Sequence, residues 1–374
     1  MPLTREDAMN ALRNVQDPEL FKDIVSLGMV KELEVDGDRV DVTVELTTPA
    51  CPMKDEIENR VVRALAAAGA EDVNVSLTAD VRGGRAPGAA GEGAQSAVPG
   101  QDGVDPPLPQ VKNIIAVGAG KGGVGKSTVA INLAVGLQRT GAKVGLMDGD
   151  IYGPSMPTML GVKGVVPKVS DDKKRILPHH VHGIHAVTIG SLVEEDKPLM
   201  WRGPMAHGAF KQLILDNTKW PDLDYLIVDL PPGTGDVPLT LCQILPLTGA
   251  VVVATPQQVA LDDATRAVKM FEQLGCPVLG LVENMSYFVD EQGVEHDIFG
   301  RGGSRKMAET LGLPIVAEIP MLPQLRINSD TGKPHANFEA GGVLGGALED
   351  MTGRIAGEVA KRVAQPSGPQ LNIT

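Results

Sequence analysis

The chain has 374 residues, a formal net charge of −13 at pH 7 and 43% hydrophobic residues. This length predicts roughly two or three domains, and the hydrophobic fraction excludes wholesale disorder. The acidic charge argues against a broad surface for nucleic acid or anionic membranes, so we expect neither as a partner. No apolar run approaches the roughly 20 residues of a membrane helix. The polar start MPLTREDAMN is unlike a signal peptide, and we expect a cytoplasmic protein.

Residues 1–80 are predicted to form a small α+β domain. Thr4 is a suitable N-cap for a first helix, with Asp7 completing a capping box. The segments MVKELEV and RVDVTVEL alternate apolar and polar residues around Asp36-Gly37, which predicts a β-hairpin. A second helix from about Lys54 to Ala68 and a strand in DVNVSLTADV complete this domain.

Residues 81–110 differ in composition from the segments on either side. They are dominated by Gly, Ala, Pro, Ser and Gln and carry almost no large apolar side chains. Such a stretch buries too little surface to offset its ordering entropy, which predicts a flexible linker.

Residues 111–374 are predicted to form a large α/β domain. Its strands are apolar throughout: NIIAVGAG, KVGLMD, DYLIVDL, GAVVVAT and PVLGLVEN. Continuous apolar strands are buried on both faces, so we predict a doubly wound, mostly parallel sheet covered by helices. A long C-terminal helix carries one apolar stripe and a mixed-charge face, which favours docking on the protein over membrane binding.

A phosphate-binding loop follows the first strand of the large domain. The sequence matches G-x-x-x-x-G-K-[ST] between a predicted strand and a predicted helix. The predicted nucleotide-binding residues are Gly118, Ala119, Gly120, Lys121, Gly122, Gly123, Val124, Gly125, Lys126, Ser127 and Thr128. Glycines let backbone N–H groups turn toward a polyphosphate, and the helix N-terminus adds its positive partial charge. We expect Lys126 to reach the β- and γ-phosphates and Ser127 to ligate Mg²⁺.

Three acidic residues at strand ends are the candidate catalytic acids. Asp148 and Asp150 end KVGLMDGD, and Asp229 ends DYLIVDL before a Pro/Gly turn. In open α/β sheets, ligands bind at the carboxyl ends of the strands. We predict that Asp229 acts in the Mg²⁺ outer shell or on the switch. Asp150 is the preferred candidate to orient the attacking water, with Asp148 close to the metal, and the residues alone leave the division of roles between Asp148 and Asp150 open. Capping of the next helix is the alternative role for each acid.

Lys121 and Asn284 gain their predicted roles from a resemblance. Lys121 resembles the signature lysine of the deviant P-loop class that includes MinD, ParA and the nitrogenase iron protein. In that class this lysine reaches the partner's phosphates across a nucleotide-sandwich dimer, which implies that hydrolysis depends on dimerisation. Asn284, in VENMS, lies where the family places an adenine contact. The alternatives are a solvated surface lysine and a polar turn residue.

The chain as a whole resembles the Mrp/ApbC branch of that class. The motifs are DGDIYGPSMP (148–157), WRGPM (201–205), DLPPGTGD (229–236), ENMSYF (283–288), IFGRGG (298–303) and GKPH (332–335). DPEL (17–20), DIVSLGMV (23–30) and TTPACP (47–52) resemble the MIP-type domain that precedes the ATPase in many Mrp proteins. The resemblance implies a homodimeric, slowly hydrolysing ATPase that carries iron–sulfur clusters to apoproteins. The resemblance also implies ATP rather than GTP as the nucleotide, and no guanine-reading N-K-x-D motif stands at the expected strand end.

One departure from the family concerns the cluster. Most members carry a C-x-x-C pair after MSYF-V, whereas residues 287–296 contain no cysteine. A [4Fe–4S] cluster normally needs four thiolates, and the acidic side chains of this stretch are poor substitutes. Cys242 and Cys276 are predicted to be core residues. Cys51, between two prolines before a helix, is the candidate cluster ligand, with a tight-turn role as the alternative.

Three functions remain from the sequence. The first is an ATPase that carries iron–sulfur clusters. The second is a family ATPase without its own cluster, acting as a nucleotide-switched assembly chaperone. The third is a ParA- or MinD-like positioning ATPase, for which the sequence provides neither a basic face nor a membrane-binding tail.

Overall fold

The computed structural model describes residues 3–18, 20–51, 53–81, 83, 107–150, 153–171, 175–191, 215, 217–339 and 342–364. The chain divides into two compact units, one of residues 1–82 with 356–374 and one of residues 83–355. Most of the predicted linker and the WRGPM motif (201–205) lie outside the described residues. The domain boundaries 1–80, 81–110 and 111–374 therefore remain predictions.

The described residues of the first unit before position 82 form a three-stranded sheet and two helices. Strands β1 (Val30–Asp36) and β2 (Arg39–Leu46) are antiparallel, and β3 (Asp72–Ala79) runs parallel to β2. Helix α1 (Arg5–Leu12) begins at the Thr4 N-cap with the predicted capping box to Asp7, and α2 spans Lys54–Ala67. Alternate residues of β2 are buried, which gives the unit a one-sided sheet with its own core.

The second unit is built on a mostly parallel sheet. In the described residues its strand order is β11-β10-β9-β4-β8-β5-β7-β6, and β12 pairs with β10. The pairs β10–β11 and β6–β7 are antiparallel, and the other pairs are parallel. The strands are β4 (Val111–Gly118), β5 (Val144–Asp148), β6 (His179–Val181), β7 (Ile184–Thr188), β8 (Leu223–Asp229), β9 (Gly249–Ala254), β10 (Val278–Val289), β11 (Glu295–His296) and β12 (Ile315–Met321).

Helices connect these strands. They are α3 (Lys126–Arg139), α4 (Met156–Met159), α5 (Asp236–Ile244), α6 (Gln258–Gln273), α7 (Gly303–Leu311), α8 (Pro323–Asp330), α9 (Ala336–Glu339) and α10 (Gly342–Ala364), with a 3-10 turn at Ile189–Ser191. Strands β5 and β9 are buried at every residue, because parallel strands have covered faces. The predicted fold class, a doubly wound parallel sheet preceded by a small α+β unit, is confirmed. Within the described part of the chain, no helix is long and apolar enough to cross a membrane.

The sheet has its topological switch point at β4. The chain passes from β4 to β5 on one side, with β8 inserted between them, and β9 lies on the other side of β4. Crevices at such points, outside the carboxyl ends of the strands, are where open α/β sheets bind ligands. The loop that follows β4 lies at this switch point and is therefore the candidate ligand-binding loop.

Candidate functional site

The loop between β4 and α3 contains the predicted phosphate-binding residues. Gly125 is the N-cap of α3 and adopts a left-handed conformation, with φ of 85°. A Cβ at this position would lie 2.0 Å from the Asn284 Nδ2 atom, so only glycine fits here. Because the N-cap residue has no side chain, the first-turn N–H groups of α3 are left for a ligand.

Gly120 is required by a second close approach. A Cβ there would lie 2.1 Å from the backbone carbonyl carbon and oxygen of Asp263 in α6. Gly122 differs, because a Cβ at that position would meet no atom within 4 Å. The loop is thus fixed at two of its glycines by packing against β10 and α6, whereas Gly122 is open.

Lys126 and Asp229 form a buried ion pair at the centre of the site. The Lys126 Nζ atom lies 2.6 Å from Asp229 Oδ1, and the Ser127 hydroxyl donates to Asp229 Oδ2 at 2.6 Å. Lys126 is 6% exposed and Asp229 is fully buried. Burial raises the pKa of the Asp229 carboxyl, while the charge of Lys126 opposes that rise. The motif lysine, the motif serine and the predicted acid therefore meet in one cluster.

Asp148 lies beside this cluster in a different environment. It pairs in register with Asp229 on β8 and with Thr188 on β7. The Thr188 hydroxyl donates to Asp148 Oδ2 at 2.7 Å, and the Asp150 backbone N–H donates to Oδ1 at 3.1 Å. Burial, and after it the charge of Asp229, raises the pKa of Asp148 to about 7. Asp148 is thus a carboxyl group that titrates near neutral pH.

Asp150 and the turn after β8 border the loop. Asp150 is half-buried, and its Oδ1 atom accepts a hydrogen bond from the Gly153 N–H at 3.3 Å. The Gly233 N–H, in the predicted Pro/Gly turn, donates to the Ala119 carbonyl at 2.9 Å. This turn therefore contacts the phosphate-binding loop directly.

Asn284 lies in β10, one residue after the last pair with β9, and contacts the loop. It is 3% exposed, and its Nδ2 atom donates to the Val124 carbonyl at 2.9 Å. Asn284 and Thr128 both line a cavity of about 500 Å³. The other lining residues are Ser155, Thr158, Met159, Met285, Pro320, Met321, Leu322, Leu325, Arg326, Ser329 and Asp330. A mostly apolar space thus adjoins the first turn of the P-loop helix.

A second cavity of about 680 Å³ lies away from the loop. Its walls come from α7, β12 and α10 and include the Arg305–Glu318 ion pair at 2.9 Å. None of the predicted phosphate-binding residues lines it. The smaller cavity is therefore the one connected to the candidate site.

Lys121 lies in the loop without a local role. Its side chain is half-buried and makes no hydrogen bond or ion pair with any described residue. Lys126, five residues later, is by contrast fully engaged with Asp229. The two lysines of the loop are thus in different environments: Lys126 is paired with Asp229, and Lys121 has no such partner among the described residues.

All three cysteines of the chain lie in described residues, and all three are buried. Cys51 belongs to the core of the first unit, while Cys242 and Cys276 belong to a core of the second. Burial raises the pKa of the Cys242 thiol to about 12. In the described residues no group of three or more His, Cys, Asp or Glu side chains is arranged to hold a metal ion. This donor set does not fit a cluster bound by four thiolates.

The segment that replaces the family's C-x-x-C pair forms a closed turn. Asp290 Oδ1 accepts the N–H groups of Gln292 and Val294, and Asp290 Oδ2 lies 2.7 Å from His296 Nε2. The two strands around this turn pair at Phe288–His296 and Val289–Glu295. Asp290 and His296 are therefore used within the turn itself.

Several residues of the site were not predicted from the sequence. Thr188 orients Asp148, but this contact depends on the order of strands in the sheet, which no local pattern reveals. The cavity walls from β12 and α8 were missed for the same reason.

The fold and this site together place the chain in the class of P-loop NTPases. Residues 110–356 match the family described as NUBPL iron-transfer P-loop NTPase, and residues 5–77 match the family described as iron–sulfur cluster assembly protein. The chain belongs to this family of iron-transfer P-loop NTPases, with an iron–sulfur cluster assembly domain at its N-terminal end. The resemblance predicted from the sequence motifs is confirmed.

Individual relatives agree with this assignment. The chain is 45% identical over 367 residues to the iron–sulfur cluster carrier protein of Deinococcus radiodurans, covering 98% of each chain. It is 41% identical over 335 residues to the chloroplastic Fe–S cluster assembly factor HCF101 of Arabidopsis thaliana, covering 88% of this chain and 59% of that protein. A nucleotide-binding protein of Archaeoglobus fulgidus, solved with ADP, is similar with a TM-score of 0.54 and 38% identity, covering 60% of this chain and 88% of that one.

Proposed function

We propose that the chain is a Mg²⁺-dependent ATPase that works as a homodimer in the cytoplasm and carries iron–sulfur clusters to apoproteins. The observation that supports the ATPase is the buried cluster of Lys126, Ser127 and Asp229 beside the open N-terminus of α3. A polyphosphate there meets backbone N–H groups and a lysine ammonium together. The names of the similar proteins support the cluster as cargo.

The oxygen donors of this cluster fit Mg²⁺. The Ser127 hydroxyl would bind the ion, and Asp229 would hold one of its waters, since hard oxygen ligands are the ones Mg²⁺ prefers. Bound there, Mg²⁺ neutralises charge on the β- and γ-phosphates. Lys126, which now pairs with Asp229, is close enough to the loop to serve the phosphates instead.

The adenine base fits the 500 Å³ cavity. Thr128 places the cavity at the first turn of the P-loop helix, and the apolar walls of Met159, Met285 and Leu325 suit a planar ring. Asn284, at the edge of the cavity, is the polar group for the purine edge. Its Nδ2 atom is held by the Val124 carbonyl, which fixes the amide beside the loop.

Hydrolysis needs a group that orients water. Asp150 is half-buried and adjoins Asp148, whose Oδ1 atom accepts the Asp150 N–H. We assign water orientation to Asp150 and a supporting role near the metal to Asp148. A slow reaction of this kind serves as a conformational timer for loading and release of the cargo.

The homodimer is tested through Lys121. Its lack of a partner in the described residues suits a lysine that reaches the nucleotide of a second protomer. In Lys121→Ala, we expect ATP turnover to fall and to lose its dependence on protein concentration, while ATP binding by the monomer persists. Unchanged turnover and concentration dependence would remove this role for Lys121.

A second candidate function is favoured by the burial of the thiols. With Cys51, Cys242 and Cys276 all inside cores, the chain would act as a nucleotide-switched assembly chaperone without a cluster of its own. Cluster carriage through Cys51 instead requires this thiol to become accessible, and a dimer would then supply two thiolates of the four.

One experiment separates the two functions. The full chain and its Cys51→Ala variant are reconstituted anaerobically with iron and sulfide, and absorption and iron per dimer are measured. Colour in the wild type that is lost in Cys51→Ala assigns the cargo to Cys51. Colourless protein in both samples, with Mg-ATP binding intact by calorimetry, establishes the chaperone. Absence of Mg-ATP binding in folded protein refutes both.

A further inference from the structure

A chain of four side-chain amides, three of them buried, links the P-loop helix to the wall of the cavity. Gln324 Nε2 donates to Asn328 Oδ1 at 2.7 Å, and Asn328 Nδ2 donates to Asn337 Oδ1 at 2.9 Å. Asn337 Nδ2 donates to Asn132 Oδ1 at 2.8 Å, and Asn132 Nδ2 donates to the Thr128 carbonyl at 2.8 Å. The three asparagines are at most 5% exposed. We call these four side chains the amide chain.

The direction of the amide chain is fixed at one end. A backbone carbonyl can only accept, so Asn132 must turn its Nδ2 toward Thr128 and its Oδ1 toward Asn337. Asn337 must then donate to Asn132 and accept from Asn328. Each of the three asparagines thus uses both ends of its amide, and reversing one would leave like groups facing each other at buried positions, where an unmade hydrogen bond is costly.

The two ends of the amide chain belong to two parts of the nucleotide site. Thr128 follows the phosphate-binding residues Lys126 and Ser127 in α3 and also lines the cavity. Asn328 and Gln324 belong to α8, which supplies Leu325, Arg326, Ser329 and Asp330 to the cavity wall. Asn337, in the short helix α9, joins them without lining the cavity itself.

We infer that Asn337 is a positioning residue that sets the base-binding wall of α8 at a fixed distance from the phosphate-binding loop. This inference rests on the proposed function, because it concerns a ligand that occupies the cavity and the loop together. A nucleoside triphosphate needs both parts in register, whereas inorganic tripolyphosphate needs the loop alone. The consequence is a loss of affinity confined to ligands that carry a base.

The test compares two ligands on the full chain. In Asn337→Asp, a carboxylate of nearly the same shape replaces the donor to Asn132. We expect the Kd of Mg-ATP to rise about tenfold, within the range of couplings in one hydrogen-bond network, while the Kd of Mg-tripolyphosphate changes less than about twofold. The matched control is Asn113→Asp, a fully buried amide that donates to the Asp224 carbonyl at 3.2 Å outside the site.

Each outcome has a defined meaning. A rise for Mg-ATP alone, seen in Asn337→Asp and not in Asn113→Asp, supports the inference. Equal weakening of both ligands, or of neither, overturns it, since a purely structural amide would not distinguish them. If Asn337→Asp does not fold, Asn328→Asp, which removes the donor to Asn337, decides: no loss specific to Mg-ATP refutes the inference. Failure of the wild type to bind Mg-ATP refutes the proposed function instead.

Discussion

The phosphate-binding loop and the 288–296 turn are both candidate sites, but they differ in what their side chains leave free. In the loop, Gly120 and Gly125 are held by close packing, and the N–H groups at the start of α3 remain for a ligand. In the 288–296 turn, the Asp290 carboxylate already accepts two backbone N–H groups and contacts the His296 ring. A ligand-binding site leaves hydrogen-bond donors free for the ligand, whereas the polar groups of a structural turn bond to one another.

The same difference separates the two functions proposed for the chain. The proposed nucleotide site brings Lys126, Ser127 and Asp229 together within one chain. The cargo half lacks accessible thiols, because each cysteine is part of a hydrophobic core. The comparison indicates that nucleotide binding is encoded locally, while any cluster binding depends on a rearrangement or on a partner.

The largest expected effect comes from Lys126→Met. Removal of the ammonium leaves the buried Asp229 carboxylate without its ion pair, and we expect the unfolding free energy of the nucleotide-free chain to fall by about 3 to 5 kcal/mol. ATP turnover should fall at least about 100-fold, as for other groups that stabilise transition-state charge. Chemical denaturation and a phosphate-release assay measure the two effects. Lys143→Met, at an exposed position, is the control. Retained turnover in Lys126→Met would mean that ATP is hydrolysed at another site.

Asp148→Asn tests the acid beside this pair. The folded chain keeps the Asp148 proton up to a pKa of about 7, whereas the unfolded chain loses it near 3.8. The carboxyl therefore reduces stability progressively as pH rises from about 4 to 7, and its full penalty is present above pH 7. At about 1.36 kcal/mol per pKa unit, the upper limit is about 4 kcal/mol.

The measurement is the unfolding free energy of both chains between pH 4 and 8. We expect the advantage of Asp148→Asn over the wild type to grow with pH and to level off above pH 7. Asp171→Asn, an exposed acid, controls for the lost charge. An advantage that is constant with pH would show that folding does not raise the pKa of Asp148.

Gly120→Ala and Gly122→Ala sharpen the comparison within the loop. The new Cβ at 120 would overlap the Asp263 backbone, and we expect the nucleotide-free chain to lose about 1 to 3 kcal/mol through this overpacking. The Cβ at 122 meets nothing within 4 Å, so Gly122→Ala should change stability by less than about 0.5 kcal/mol. Denaturant titration of both variants measures the difference. Equal losses would mean that the packing against α6 does not fix the loop.

The parts of the fold and of the site that the sequence predicts are those formed by residues close together in the chain. The loop, Lys126 and Ser127 are contiguous, so an eight-residue motif specifies them, and Asp229 stands at the end of a recognisable strand. Thr188 reaches Asp148 only through the order of strands, and Asn337 reaches Asn132 across 205 residues. The burial of Cys51 likewise depends on core packing, which the two flanking prolines do not reveal. Local chemistry was predictable, and contacts made by tertiary structure were not.

The smallest expected effect is the reaction of the thiols in the folded chain. Cys51, Cys242 and Cys276 are 8%, 8% and 6% exposed, and a thiol must be an accessible thiolate to react. With a disulfide reagent at pH 8, we expect almost no modification within minutes for the native chain and three thiols per chain after denaturation. Cys51→Ala is the matched control. If one thiol reacts rapidly in the wild type and disappears in Cys51→Ala, Cys51 is accessible in solution, and the balance shifts from the assembly chaperone to the cluster carrier.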